Sequence, residues 1–204
     1  MTFLHLHLPL GLLHHQTATL FAADTSLYVV DRSFASLASR LQHDVDVVSA
    51  WFDRWLLSVN TAKSATMVIR SREMFSEPLK ITSGSSELCQ VKSHRHLGVV
   101  FNETLTWSDH VDHVLNKASS KLGLLRRLRG RLSSLIIRHV FLSCVLPSLE
   151  YASVVWCGPT LSDAARLERF NRAAGRLIGN ISISSQTPND AILARDGLQT
   201  LTSR

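Results

Sequence analysis

The hydrophobic pattern of this chain changes between residues 102 and 108, and no other feature of the sequence constrains the fold as much. Before this point, apolar residues occur in short runs separated by polar loops, a pattern typical of strands and turns. After it, apolar residues recur at intervals of three and four over long stretches, as in amphipathic helices. The sequence therefore predicts an α+β class, with strands and a packed helix first and an all-α region second.

The first part is predicted to hold one long helix among short strands. Residues 17–22 and 26–30 are rich in β-forming residues around a polar turn, which predicts a hairpin. Residues 34–59 carry an apolar stripe at helical spacing, with Ser33 as N-cap and Asn60 as the stop. Further strands are predicted over residues 66–70, 79–82, 87–91 and 96–101.

The second part is predicted to contain four helices. The first begins at Ser108 and ends near Gly130. The second covers residues 135–146, where Pro147 is expected to stop it because proline lacks a backbone N–H. The third covers residues 163–178, and a short last helix follows Pro188.

The net charge of +6 comes entirely from the second part of the chain. Residues 1–94 hold eight basic and eight acidic residues, whereas residues 95–204 hold fourteen basic and eight acidic ones, which favours an anionic partner there. No acidic residue lies between Asp112 and Glu150. At helical spacing four basic residues project on one side of this region: Lys117, Lys121, Arg127 and Arg131. We predict that they contact the phosphates of RNA or DNA; a merely solvated helix face is the alternative.

Cysteine usage and hydropathy suggest a compartment. The three cysteines are widely spaced and form no CxxC pair, which argues against a disulfide framework and favours a reducing environment. No apolar run is long enough to cross a bilayer, and the apolar start lacks the basic region of a signal peptide. We therefore expect an intracellular protein, cytoplasmic or nuclear, with no membrane partner. A zinc site drawn from His94, His96, His110 and His113 is disfavoured by their irregular spacing.

Asp24 is the candidate metal ligand by its place in the predicted hairpin, and Lys63 becomes a candidate general acid only through the family resemblance of the motifs described next. Nucleotidyl transfer uses divalent cations held by clustered carboxylates, and a hairpin fixes the position of such a group well. Taken alone, an aspartate in a hairpin is more often explained by turn chemistry. A lone lysine in a loop between a helix and a strand is likewise more often solvated than catalytic, although lysine can act as a general acid.

An ordered set of motifs gives these residues more weight. FAAD is followed by W-x3-W-LLSVNTAKSATMVI, then HLGVVFNETLTWSDHV, and then a basic region with VLPSLEYASVVW. The set resembles the reverse transcriptases of non-LTR (LINE-type) retrotransposons of the jockey and CR1 kind, from about Leu8 to the end of the chain. The resemblance implies an atypical segment over 1–16, a partial polymerase palm over 17–102 made of antiparallel strands with a packed helix, and a helical thumb and C-terminal region over 103–204.

The resemblance also implies roles for particular residues. Asp24 matches the second aspartate of the family's F/Y-A-D-D turn, a lesser Mg²⁺ ligand, whereas Ala23 stands where the principal ligand would be. Lys63 matches a lysine thought to contact the incoming phosphates or protonate pyrophosphate. The hairpin that supports the primer end is matched by Leu97, Gly98 and Val99. A buried strand with a packing glycine is the alternative interpretation of that last match.

The functional prediction combines these observations. No Asp or Glu precedes Asp24, so the family's upstream metal-binding carboxylate and finger elements are expected to be missing from this chain. The sequence thus predicts a truncated fragment of an RNA-directed DNA polymerase that is inactive alone, binds no Mg²⁺ productively and retains nucleic-acid binding. The alternatives are a basic nucleic-acid-binding module without enzymatic activity and a translated transposon remnant without retained function. The sequence does not indicate a protein partner.

Overall fold

The chain folds into two compact units, residues 1–94 and residues 95–204. The computed structural model describes residues 17–21 (backbone only), 24–69, 78–156, 158–182, 188, 192 and 198–201. Helices and small sheets both occur, in agreement with the α+β class. The division falls within the first strand of the last hairpin, and the second strand of that hairpin packs against the first helix of the second unit.

The first element in the described part of the first unit is the predicted hairpin. Its strands are β1 (Thr17–Phe21) and β2 (Asp24–Tyr28), which pair antiparallel with Phe21 opposite Asp24. The connection is therefore two residues long, the commonest hairpin length, and Asp24 begins a strand instead of lying in the turn. Ala23, the residue on which the prediction of a disabled metal site depends, lies outside the described residues.

Helix α1 (Phe34–Arg54) begins as predicted and ends earlier than predicted. Ser33 is the N-cap, and its hydroxyl accepts a hydrogen bond from a backbone N–H of the first turn at 3.5 Å. The predicted stop at Asn60 is wrong because Leu56 adopts a left-handed conformation with φ of 56°. The N–H groups of Leu56 and Leu57 return to carbonyls of the last turn at 3.0 and 2.9 Å, which is the Schellman ending of a helix.

The remaining strands of the first unit are two residues long. The strands predicted over 66–70, 79–82 and 87–91 are longer than those in the structure. Apolar residues in these runs pack into the core without continuing the strand pairing. The strands are β3 (Ala65–Thr66), β4 (Thr82–Ser83), β5 (Ser86–Glu87) and β6 (Cys89–Gln90). β4 and β5 pair antiparallel, whereas β3 and β6 pair parallel, so the expected antiparallel arrangement is met only in part.

Helix α1 packs on these short strands, as the sequence predicts. Leu79, Ile81 and Leu88 are buried against the apolar face of α1. The side-chain amide of Gln42 also accepts from the backbone N–H of Thr82 and donates to its carbonyl, both at 2.9 Å. The Gln42 amide thus makes the two backbone hydrogen bonds that a neighbouring strand would otherwise make, and it holds β4 against α1.

The last hairpin is formed by β7 (Ser93–His96) and β8 (Val99–Asn102). Leu97 and Gly98 connect them with φ values of 47° and 84°. Two successive left-handed residues are the requirement of a type I′ turn, whose twist matches that of the flanking strands. The prediction of one strand over 96–101 is therefore wrong at its centre, where the chain reverses.

Four α-helices lie in the described part of the second unit. They are α2 (Ser108–Leu128), α3 (Ser134–Val140), α4 (Leu146–Glu150) and α5 (Leu161–Ile178). The predictions for α2 and α5 are confirmed to within two residues at each end. Helix α2 packs against β8, α4 and α5, and the buried core includes Val111, Leu122, Phe141, Leu149 and Phe170. The short helix predicted after Pro188 lies outside the described residues, apart from Pro188 and Ile192.

Pro147 does not stop a helix, contrary to the prediction. A π-helical segment, Phe141–Val145, joins α3 to α4, and Pro147 lies in the first turn of α4. Proline lacks an N–H and its ring crowds the carbonyl four residues earlier, so an ordinary α-helix would be disrupted here. The Leu146 N–H instead bonds to the Phe141 carbonyl, five residues back, and this wider turn lets the helical path continue.

Replacing Gly98 with alanine is expected to destabilise the second unit by about 1–3 kcal/mol. The left-handed φ is unfavourable for alanine, and an added Cβ would lie 3.0 Å from Cε1 of Tyr151. Urea denaturation followed by circular dichroism measures the change. Gly123→Ala is the matched control, because a Cβ there meets nothing within 4 Å and α2 should gain about 0.5–1 kcal/mol. Equal losses for both variants would contradict this account of Gly98.

Within the described ranges, every helix is too short or too polar to cross a bilayer.

Candidate nucleic-acid interface

The structure does not place the four predicted phosphate-binding residues on one helix face. Lys117, Lys121 and Arg127 lie on α2, but Arg131 follows the end of the helix at Leu128. Lys117, Arg127 and Arg131 are exposed, whereas Lys121 is half-buried. Helical spacing places Lys121 at the border of the apolar face, because the buried residues Ala118 and Leu125 lie three and four positions away from it.

Lys121 has an internal partner at the π-helical segment. Its ammonium donates to the Cys144 carbonyl at 2.6 Å and to the Ser148 hydroxyl. The Ser148 hydroxyl donates to the same carbonyl at 3.1 Å. A π turn next to a proline leaves carbonyls without their usual backbone donors, and a lysine satisfies one of them here. The contact with phosphate predicted for Lys121 stays a prediction, and its ammonium would have to leave these partners to make it.

Replacing Lys121 with methionine is expected to destabilise the second unit by about 1.5–3 kcal/mol, because the charge-assisted hydrogen bonds to the Cys144 carbonyl and the Ser148 hydroxyl are lost. Methionine preserves the unbranched stem. Lys117→Met, one turn earlier on the same helix and exposed, should change the stability by less than about 0.5 kcal/mol. Thermal and urea denaturation of the two variants test the difference, and equal effects would show that the internal contact does not matter.

The exposed lysine and arginine residues between positions 117 and 131 form a set that differs from the predicted one by a single member. This set, hereafter the basic segment, consists of Lys117, Arg126, Arg127 and Arg131. Arg126 was not predicted as a phosphate-binding residue, because an ideal helix places it nearer the apolar stripe. Its position next to Arg127 was the signal that could have identified it. Three of the four residues are arginines, whose planar guanidinium groups match phosphate oxygens in a two-pronged geometry.

Arg129 lies apart from the basic segment. It is half-buried and lines an open depression of about 510 Å³ together with Ser133, Ile137 and Leu177. Of its apolar side chains, Ile137 lies on α3, Leu177 lies on α5 and Leu132 lies between α2 and α3.

The turn of the last hairpin is held by an aromatic side chain that the sequence analysis did not single out. The Tyr151 hydroxyl donates to the Leu97 carbonyl at 3.0 Å, and the ring lies against Gly98. The indole N–H of Trp156 donates to the Tyr151 carbonyl at 2.9 Å. Both aromatic residues belong to the motif LEYASVVW, which was the available signal.

His110 connects the same hairpin to α2. It is fully buried, its Nδ1 accepts the backbone N–H of Val100 at 3.2 Å, and its ring packs edge-on against Trp156 with 5.2 Å between centroids. Burial lowers the pKa of His110, and the nearby His113 lowers it further. A neutral imidazole with an unprotonated Nδ1 is the form that can accept this bond.

A buried carboxylate joins the beginnings of α2 and α5. Asp163 accepts hydrogen bonds from the hydroxyls of Ser108 at 2.7 Å and Thr160 at 2.8 Å, and from Arg166 at 3.0 Å. Arg166 also pairs with Asp112 of α2. Burial alone would raise the pKa of Asp163, but the three donors and the arginine charge outweigh it, so the pKa is lowered.

The residues predicted for catalysis lie in the first unit. Asp24 is exposed at the start of β2. Lys63 is exposed in the turn before β3, where its backbone N–H is held by Asn60. Among the described residues, no three His, Cys, Asp or Glu side chains are grouped so that they could hold a metal ion. The clustered carboxylates that Mg²⁺-dependent nucleotidyl transfer requires are thus not matched by the described donors, and no step through a metal ion follows from them.

Known proteins share this sequence pattern. Over 161 residues, or 78% of this chain, it is 24% identical to a probable RNA-directed DNA polymerase from transposon BS of Drosophila melanogaster. The probable RNA-directed DNA polymerase from transposon X-element of the same species is 23% identical over 161 residues. The RNA-directed DNA polymerase from mobile element jockey of Drosophila funebris is 23% identical over 139 residues, or 67% of this chain. The chain is related in sequence to non-LTR retrotransposon reverse transcriptases.

This finding confirms the resemblance drawn from the motifs. The aligned residues make up 18% of each of the first two relatives and 15% of the third, so the chain spans less than a fifth of their length. No family model matches the chain, and no solved structure matches it. The assignment of the two units to a polymerase palm and thumb therefore stays a prediction.

Proposed function

We propose that this chain binds the sugar–phosphate backbone of RNA or DNA through the basic segment of its second unit. The observation that carries the proposal is the exposure of Lys117, Arg126, Arg127 and Arg131 in a stretch where the sequence has no acidic residue. With no carboxylate among them, their charges add to one another and attract an anion. The relationship to polymerases that act on RNA and DNA supports a nucleic acid as the anionic partner.

The expected binding is electrostatic and largely independent of base sequence. Each neutralised phosphate releases condensed counterions, which gives a slope of about −0.9 in a plot of log affinity against log salt for duplex DNA. The four residues of the basic segment can make about four such contacts, for a slope of about −3.6. Affinity should then fall about a hundredfold between roughly 50 and 200 mM salt.

Fluorescence anisotropy with a labelled RNA–DNA duplex tests this proposal. The full 204-residue chain is titrated at several salt concentrations, and the slope is compared with the expected value. An oligonucleotide of the same sequence with an uncharged backbone serves as the control ligand, because it presents the same bases without phosphate charge. Equal affinity for both ligands, or a flat response to salt, would refute the proposal and favour a remnant without retained binding.

We further propose that this polypeptide alone does not synthesise DNA and does not bind Mg²⁺ productively. The side chain of Ala23 offers no oxygen to a cation, which leaves Asp24 as the carboxylate of the hairpin. Extension of a primed RNA template with labelled nucleotides and Mg²⁺ tests this. No incorporation is expected, either for the chain itself or for Ala23→Asp, because no other acidic residue precedes Asp24 in these 204 residues. Template-dependent incorporation by either protein would contradict it.

A further inference from the structure

A fully buried histidine attaches the last hairpin to α2. His110 lies in the first turn of α2, and its Nδ1 accepts the backbone N–H of Val100 in β8 at 3.2 Å. Its ring packs edge-on against Trp156, with 5.2 Å between centroids. The proposed nucleic-acid binding makes no use of this residue. A buried titratable side chain between two elements can, however, make their contact depend on pH.

The contact with Val100 requires a neutral imidazole. Because Nδ1 accepts a hydrogen bond, the ring proton lies on Nε2, which is buried and has no hydrogen-bond partner among the residues that the structure describes. A proton added to Nδ1 would face the Val100 N–H, so two donors would oppose each other. It would also leave a buried positive charge with no described acceptor at either ring nitrogen. The protonated ring is therefore incompatible with the closed arrangement.

The neighbouring charged groups do not offset this incompatibility. Asp112 and Asp163 both pair with Arg166, and Asp109 accepts from the side-chain amide of Asn102 at 3.0 Å. Burial is the main cause that lowers the pKa of His110, and the charge of His113 lowers it further. The titratable and charged groups on the surrounding elements are Asp109, Asp112 and His113 on α2, Asp163 and Arg166 on α5, Glu150 and Tyr151 before Trp156, and His94, Arg95 and His96 on β7, whereas β8 carries none.

The hairpin is the element that moves most easily when this contact is lost. Helix α2 is anchored by a stripe of buried apolar residues and packs against α4 and α5. Strands β7 and β8 have four residues each and form a two-stranded sheet. A two-stranded hairpin is marginally stable by itself, so its position depends on the neighbours that hold it.

We propose that His110 is a proton-operated latch: the neutral imidazole holds β8 on α2, and protonation under mildly acidic conditions releases the hairpin from the helix. This inference does not depend on the proposed nucleic-acid binding, and the two can fail separately.

The sign of the pH dependence follows from linkage. The folded pKa of His110 lies below the ordinary 6.5, so the folded state binds fewer protons than the open state. The latch is therefore fully effective above about pH 6.5, weakens as pH falls below that value, and levels off below the folded pKa. Within this window the equilibrium constant for opening rises by at most about tenfold for each pH unit.

Hydrogen exchange of backbone amides, read by mass spectrometry on the full chain, tests the latch. Exchange is measured at about pH 7.5 and about pH 5, where ordinary carboxyl groups stay mostly ionised. Each rate is divided by the intrinsic rate of an unfolded chain at the same pH, which gives the protection of the amide. The peptide covering residues 97–103 should lose severalfold of its protection at the lower pH, whereas peptides from α5 should keep theirs.

His110→Asn is the sharpest variant, because the asparagine amide can supply an oxygen near the position of Nδ1 that accepts a hydrogen bond but does not titrate. Protection of residues 97–103 should then be the same at both pH values. His139→Asn, at an exposed position in the last turn of α3, is the matched control and should respond like the unmodified chain.

A second measurement avoids substitution in the core and serves if His110→Asn does not fold. The unmodified chain is isotope-labelled at its histidine nitrogens and studied by NMR. The imidazole in contact with Trp156 should change from the Nε2–H tautomer to the imidazolium over the same pH range in which the hairpin loses protection. Different pH ranges for the two changes would overturn the latch.

The exchange experiment has three further outcomes that overturn the proposal. The first is equal protection of residues 97–103 at both pH values in the unmodified chain. The second is a loss of protection that persists in His110→Asn, which would assign the response to another group. The third is a loss of the same size in α5, which would indicate unfolding of the whole unit instead of release of the hairpin.

Discussion

Replacing Asp163 with asparagine is expected to lower the free energy of unfolding of the second unit by about 2–4 kcal/mol. The side chain of Asp163 is 4% exposed and accepts from Ser108, Thr160 and Arg166. Asparagine keeps the shape but loses the charge, and it turns one acceptor into a donor that faces the guanidinium. Urea denaturation monitored by circular dichroism measures the loss, and hydrogen exchange of α2 and α5 peptides shows where it occurs.

Asp112→Asn is the control, because Asp112 also pairs with Arg166 but is 54% exposed. An exposed ion pair contributes about 0–1 kcal/mol, so the control should lose much less stability than Asp163→Asn. Equal losses would mean that the pairing with Arg166, and not the buried hydroxyl contacts, is what Asp163 contributes.

Acid pH provides a second measurement at Asp163. Its folded pKa is lowered below the ordinary 3.8, so its stabilisation is complete above about pH 4 and is lost as pH falls through the folded pKa. Asp163→Asn has no carboxyl to protonate at this position. The stability difference between it and the unmodified chain should therefore shrink below about pH 4.

Neutralising the basic segment is expected to abolish most nucleic-acid binding. With Lys117, Arg126, Arg127 and Arg131 all changed to alanine, the slope of log affinity against log salt should rise from about −3.6 to near zero, and affinity at about 50 mM salt should fall about a hundredfold or more. Lys121 is left unchanged because its contacts with Cys144 and Ser148 support the helix. Anisotropy titrations with the RNA–DNA duplex measure both quantities.

The control for this variant removes the same charge from the first unit. Four exposed basic residues there, Arg32, Arg54, Lys80 and Lys92, are changed to alanine. If binding depends on the position of the charges, the control should keep a slope near that of the unmodified chain. A control that loses as much affinity as the basic-segment variant would show that net charge alone attracts the duplex.

The sequence predicts those elements whose signals are local and periodic. Helices α2 and α5 follow from their apolar stripes, and the start of α1 follows from the capping residue Ser33. The hairpin of β1 and β2 follows from two β-rich runs around a short connection. In each of these cases one side-chain pattern, read over about ten to twenty residues, matches the geometry of the element that forms.

The sequence gives no reliable signal for the ends of two helical segments. Leu56 ends α1 in a left-handed conformation that glycine or asparagine would have signalled but leucine does not, and this residue is 95% exposed. Pro147 gives a strong signal for a helix stop, yet the π-helical segment before it absorbs the conflict. Lys121, one helix away, supplies a donor to that segment, and such a contact has no local signature.

The candidate site shows the same limit. The basic character of the region around α2 is evident from the charges, but which residues are free for phosphate depends on the distant partner of Lys121. The role of Tyr151 could not be predicted either, since its contact with Leu97 joins residues 54 positions apart. Asp24 and Lys63 were chosen through the family resemblance, and the described structure neither groups them with further ligands nor tests their roles.

The π-helical segment also determines the direction in which the side chains of α4 and of Tyr151 project from the helix axis. Each residue of an α-helix turns the chain by about 100°, so a segment that holds one extra residue per turn rotates α4 by that amount relative to α3. Tyr151 directly follows α4, and its direction toward the turn of Leu97 and Gly98 depends on this rotation. Deletion of a single residue from Phe141–Val145 would turn Tyr151 away from the hairpin, although Tyr151 and Leu97 would both remain in the sequence. The number of residues in this short stretch therefore determines which way α4 presents the tyrosine that follows it.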